Sequence, residues 1–101
     1  MNNKLFVYGT LQESEVQIKV IGRIVDSFKD TLLGFKMSTI IINNNTYPII
    51  IKEPKSDEKI NGLVLEINTK DLIKLDEYET NAYQRKRVNL QSGVTAWVYQ
   101  K

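Results

Sequence analysis

The sequence predicts a β-rich chain with two helices, its non-adjacent strands pairing into a curled sheet or small barrel. Three observations lead there. Short runs of β-branched and aromatic residues recur along the chain, divided by single turn signals. Two other stretches change to helical spacing. Finally, 101 residues with 42% hydrophobic and 26% charged side chains have an ordinary globular composition, enough to bury about two thirds of the unfolded surface. We expect residues 1–101 to form one domain, since no repeat or linker interrupts them.

The elements follow in order. Leu5 to Tyr8 is an apolar run ending at Gly9 and reads as a short buried strand. Ser14 is a suitable helix cap, Val16, Val20 and Ile21 recur at helical spacing, and Gly22 can end the helix in a left-handed conformation. Gly9 to Glu13 is therefore a strand-to-helix loop. Leu32 to Ile42 and Tyr47 to Ile51 predict two strands of a hairpin, joined by the cluster Asn43, Asn44, Asn45. Ile60 to Ile67 is a further strand, in which Gly62 marks a bulge or a close backbone approach. Asn68 or Thr69 caps a second helix whose apolar face begins at Leu72. Tyr83 to Leu90, the turn Gln91, Ser92, Gly93, and Val94 to Tyr99 close the chain as a β-hairpin.

Composition removes several chemistries. Without cysteine or histidine the chain has no disulfide, no thiolate or imidazole metal ligand, and no serine- or cysteine-type triad. Acid–base work falls to a carboxylate, a lysine, a tyrosine or the substrate itself. No feature demands a metal or an organic cofactor. A net charge of +2 is too small for a whole-surface nucleic-acid field. The one dense basic run, Arg85 to Arg87, alternates between strand faces, so no nucleic-acid partner is expected, although Arg85 can turn inward to meet an acid. Met1 to Lys4 leads straight into a strand with no apolar stretch for a signal peptide or membrane span. The expectation is a cytoplasmic protein without a membrane partner.

Two places stand out chemically. At about 100° per residue, Glu79 projects within roughly 20° of Leu72, so a carboxylate points with the core. Asp76 lies near the same direction, and Glu77 falls on the other side. The competing reading is a helix that frays near Glu79, with the acid facing water or paired with Arg85 or Arg87. The second place is Tyr8, Gly9, Thr10, Leu11, where glycine permits close backbone approach and successive N–H groups attract anionic oxygens. Here the competing reading is a plain βα turn. Tyr47, Tyr83, Trp97 and Tyr99 read as core or wall residues.

Taken together, Phe6-Val7-Tyr8-Gly9-Thr10-Leu11, Tyr47-Pro48, Gly62, Leu75-Asp76-Glu77-Tyr78-Glu79, Tyr83-Gln84-Arg85 and Trp97-Val98-Tyr99 resemble, in order and spacing, the gamma-glutamyl cyclotransferase-like family. The resemblance spans nearly the whole chain. It implies an α+β fold, a small mixed β-barrel flanked by two or more short helices. It also implies that Tyr8, Gly9, Thr10 and Leu11 form a substrate-cradling loop, and that Glu79 is the catalytic glutamate. Gln12 stands where members often carry a basic residue.

The activity implied is an intramolecular aminolysis of a small-molecule γ-glutamyl amine or peptide, in which the α-amine attacks its own side-chain carbonyl and 5-oxoproline is released. The substrate supplies the nucleophile, so a chain lacking cysteine and histidine can still be an enzyme. Glu79 would take the amine proton and pass one to the departing nitrogen. Desolvation should raise its pKa, and a bound ammonium should pull it back. The amides of Gly9 to Leu11 would grip the α-carboxylate, with Tyr8 and Tyr83 as candidate hydroxyl donors to the oxyanion. Two alternatives remain beside this reading: a catalytically silent small-molecule binding module of the same fold, and, more remotely, an oligonucleotide-binding barrel using Arg85 to Arg87.

Overall fold

A computed structural model describes residues 2–101. The chain runs β1 (Asn3–Val7), α1 (Ser14–Ile21), β2 (Ser27–Leu32), β3 (Phe35–Ile42), β4 (Asn45–Lys52), β5 (Ile60–Ile67), α2 (Thr69–Glu79), β6 (Gln84–Asn89) and β7 (Thr95–Gln100), with short 3₁₀ turns at Thr10–Gln12 and Thr80–Ala82. Five strands form one sheet in the order β2-β5-β1-β7-β6, and β3 and β4 form a separate hairpin. Among the described residues only β1 and β7 pair in parallel. The mixed α+β class is as expected.

Among the described residues the ladder does not close into a barrel, because β2 and β6 stand at opposite edges without pairing. The sheet curls far enough for turn contacts to bridge the gap. Gln91 N–H donates to the Thr31 carbonyl at 2.9 Å, and Ser92 donates to the Asp30 carboxylate. The hairpin is tied on by the Lys101 amide, 3.0 Å from the Ile50 carbonyl.

The pleat of the large sheet sorts its side chains to two faces. Leu5 and Val7 of β1, Leu65 and Ile67 of β5, and Tyr99 of β7 pack with Ile21, Leu72 and Leu75 from the helices. Phe6, Val64, Ala96 and Val98 point the other way and pack with Phe35 and Ile50 of the hairpin. The helices thus cover one face and the hairpin the other. Both layers meet at the C-terminal end of β1.

Several element boundaries differ from expectation for local reasons. β1 ends at Val7, not Tyr8. Leu32 to Ile42 is two strands, because Gly34 at φ 81° breaks it after Leu32. The half of that break that belongs to β2 starts earlier, at Ser27; as a largely exposed edge strand it lacks an apolar signature. Glu13, not Ser14, occupies the cap position of α1, and no side chain caps it. Gly22 ends α1 at φ 98° as expected. Asn43 and Asn44 make the hairpin turn at φ 50° and 67°, while Asn45 already belongs to β4.

Gly62 is a case of close approach. Its pairing with Asp30 continues the regular β2–β5 register. A Cβ there would collide with the Val7 carbonyl oxygen and stand 2.9 Å from the Phe6 ring. The second helix has a capping box: Asn68 Oδ1 accepts from the Asp71 amide at 2.8 Å, and Asp71 Oδ2 accepts from the Asn68 amide at 3.0 Å. Arg23, just past α1, forks onto the same Asp71 at 2.9 and 2.6 Å and holds that carboxyl below its usual range. One buried acid therefore joins the end of α1 to the start of α2. No helix among the described residues is long and apolar enough to cross a membrane.

Candidate active site

A cavity of about 240 Å³ opens at the C-terminal end of β1 and is lined by Tyr8, Gly9, Thr10 and Leu11 together with Glu79 and Tyr83. Every site residue singled out in the sequence therefore reaches one space. Phe6 and Val7 also line it from β1, Ile42, Tyr47 and Pro48 from the tip of the hairpin, Tyr78 and Thr80 from the end of α2, and Tyr99 from β7.

The loop after β1 is held from beneath. Gln17 of α1 is almost fully buried; its Nε2 donates to the Leu11 carbonyl at 2.9 Å and its Oε1 accepts from the Val25 amide at 3.1 Å. Both ends of the side chain are satisfied, which a buried amide requires. Gln12 folds back so that its Nε2 donates to the Gly9 carbonyl at 3.2 Å. Gly9 has φ −113°, so no left-handed conformation demands glycine there. A Cβ would meet only Pro48 Cγ, at 3.5 Å, on the cavity wall. The small residue keeps the loop backbone open to the cavity.

Glu79 is the last residue of α2. Burial pushes its carboxyl up from 4.5 to about 7. Among the described residues no side chain is hydrogen-bonded or ion-paired to it. The fraying or arginine-paired alternative is thus not what the fold does. Arg85 instead forks onto Asp76, one turn earlier, at 2.7 and 3.0 Å. The next residue, Thr80, sits at φ 62°, ψ −166°, a region that β-branched side chains avoid at a cost of roughly 1–3 kcal/mol. Strain is concentrated directly beside the carboxylate.

The tyrosines are tied down by their own hydroxyl protons. Tyr8 donates to the Tyr99 carbonyl at 2.6 Å, Tyr83 to the Pro48 carbonyl at 2.9 Å, and Tyr99 to Asp76 Oδ1 at 2.7 Å. Burial raises Tyr8 and Tyr99 above the usual phenol range, and for Tyr99 the hydrogen bond to Asp76 and its charge add to it. Burial and the Glu79 charge push Tyr83 up to about 12. These phenols stay protonated at any ordinary pH.

Of the basic run, Arg85 and Arg87 both stack on the Trp97 ring, 4.3 and 4.4 Å from its centre, and Lys86 lies on the other face of the strand. The inward turn expected of Arg85 occurs, with Asp76 as its acid. Sequence reading missed Gln17, Tyr78 and Thr80. Gln17 left a weak signal, a polar residue one position from the apolar stripe of α1. Tyr78 points off the helix face that periodicity marks, and a strained threonine leaves no mark in sequence.

The family model for gamma-glutamyl cyclotransferase, AIG2-like, matches residues 5–101. AIG2-like protein C of Arabidopsis thaliana is 40% identical over 87 residues, covering 85% of this chain and 48% of that protein. AIG2-like protein D of the same plant is 34% identical over 89 residues, covering 87% and 56%. The chain spans about half the length of these curated relatives. Among solved structures, a gamma-glutamyl cyclotransferase superposes with a TM-score of 0.83 at 20% identity, over 99% of this chain and 66% of that one. An AIG2-like protein from Mus musculus gives 0.78 at 21%, over 99% and 77%. At such identities these structures speak for the fold, and the family match for descent: the chain belongs to the AIG2-like gamma-glutamyl cyclotransferase family.

Proposed function

We propose that residues 1–101 act as a single gamma-glutamyl cyclotransferase-type domain, converting a small γ-glutamyl amine or peptide into 5-oxoproline and the free amine. The observation that carries this reading is that Glu79, raised to about 7 by burial, shares one cavity with the amide-bearing loop Tyr8 to Leu11. The loop amides hold the substrate α-carboxylate. This fixes the α-amine and the γ-carbonyl close enough to form a five-membered ring, and such positioning contributes up to ~7–11 kcal/mol in favourable intramolecular reactions.

Glu79 then accepts a proton from the ammonium. A terminal-type amine titrates near ~8, and burial, by raising the free Glu79 carboxyl, narrows the gap across which that proton moves, even though the bound ammonium pulls the carboxyl back down. The nitrogen lone pair adds to the γ-carbonyl, the ring nitrogen gives up a second proton to become the lactam N–H, and the C–N bond to the leaving amine breaks. Glu79 carries the two protons in turn to the departing nitrogen, which leaves as an ammonium. Protons balance, and no oxidant or co-reactant enters.

The test is to incubate the purified protein with a panel of γ-glutamyl amines and peptides and measure 5-oxoproline. Release from at least one compound is expected. Binding of several compounds with no product from any would replace this reading with the silent binding module.

A further inference from the structure

The hydroxyl protons of Tyr8, Tyr83 and Tyr99 are all committed to the protein, and their acceptors fix the direction of each bond. A carbonyl has no proton to give back, and neither has the Asp76 carboxylate clasped by Arg85. A phenol carries a single proton; once that is donated, its oxygen offers lone pairs only. Glu79 lines the same cavity as all three tyrosines. An oxyanion placed among them would meet acceptors on every side. A primary ammonium brings three donors.

We propose that the hydroxyl oxygens of Tyr83 and Tyr8, with the Glu79 carboxylate, form an acceptor-only seat for a primary ammonium group, so that both tyrosines position the attacking amine and neither serves the oxyanion. This replaces the donor role that the sequence suggested for them. Tyr8 donates to the Tyr99 carbonyl and Tyr83 to the Pro48 carbonyl, so each phenol oxygen keeps its lone pairs for an outside donor. Tyr99 acts behind them as a strut, its carbonyl receiving Tyr8 and its hydroxyl bound to Asp76. The word attacking rests on the proposed function; the seat rests on hydrogen-bond direction.

The test uses a matched, unreactive pair of ligands, norleucine and hexanoate, which share a carboxylate and differ by the ammonium. Affinities are read by NMR titration of the full chain. The unsubstituted protein should prefer norleucine by about ten-fold or more, the scale of a hydrogen bond to a charged group. Tyr83→Phe should weaken norleucine by about ten-fold and leave hexanoate unchanged, with Tyr8→Phe as a second variant and circular dichroism confirming that each is folded. Equal loss for both ligands, loss for neither, or a fall in kcat with norleucine affinity intact would overturn the seat. If the preference is found but no γ-glutamyl compound yields 5-oxoproline, the proposed function fails and the seat stands. If neither ligand binds, the seat fails, and the 5-oxoproline assay alone decides the proposed function.

Discussion

Glu79→Gln should produce a protein that is inactive and, at alkaline pH, more stable than its parent. The folded carboxyl keeps its proton up to about 7 where the ordinary value is 4.5, a difference worth roughly 3 kcal/mol. The cavity beside it is open to solvent, which trims the expectation to about 2 kcal/mol. Because the folded pKa is raised, this contribution is fully present below pH 4.5 and lost as pH rises through about 7. Glutamine has the same shape and no charge, so the variant escapes the loss. Thermal unfolding followed by circular dichroism should give matching midpoints at pH 4. At pH 8.5 the variant should melt about 8–16 °C higher, at ~4–8 °C per kcal/mol for a domain of this size. In the parent, kcat/KM should rise with pH through about 7 as Glu79 becomes able to accept a proton. A variant that still releases 5-oxoproline at the parental rate refutes the catalytic role. Parallel pH–stability curves refute the claim that burial, and not some partner, sets the carboxyl.

Three further outcomes follow from the packing. Gln17→Leu strands the Leu11 carbonyl and Val25 amide, so urea unfolding should show a loss of about 1–3 kcal/mol and steady-state kinetics a larger change in KM than in kcat; unaltered KM would deny the residue its hold on the loop. Gly62→Ala drives a methyl into the Val7 carbonyl, a backbone atom that cannot swing aside, and should lower the unfolding free energy by about 3 kcal/mol or more; a neutral result would mean the strands can part there. Thr80→Gly relieves a φ of 62° and should gain about 1 kcal/mol while lowering kcat, because the turn that aims Glu79 loosens; a gain in stability with full activity would show that the strain does not serve the site.

How much of this was legible in sequence can be judged residue by residue. β5 was readable to its last residue because a strand buried on both faces has few ways to be misread, whereas β2, exposed along most of its length at the sheet edge, carries no periodic apolar signal. Gly34 looked like one residue within a β-branched run and is the break between two strands. The curled sheet was anticipated, but closure depends on whether two edges come within hydrogen-bonding reach, which local patterns do not encode. At the site, Gly9 and Glu79 were visible as a loop and an acid that fit their surroundings poorly. Gln17 was not, since a buried amide is recognised only by what it bonds to, and those partners lie in the backbone of two other segments.

The different fates of Asp76 and Glu79 show where helical arithmetic stops. Both acids lie close to the Leu72 direction on one helix, and nothing in their spacing says which is paired. The decision is made by the strands opposite. Asp76 stands where β6 delivers Arg85 and β7 delivers the Tyr99 hydroxyl, and Arg85 is further fixed by stacking on Trp97. With that arginine held one turn away, Glu79 enters the cavity against apolar walls and oxygens whose protons are already committed. A stray cation at that point would hold the carboxyl low and make it a poor base. The ion pair at Asp76 is therefore part of the site's chemistry, because it holds Arg85 on another acid and away from the carboxylate that the cavity needs uncompensated.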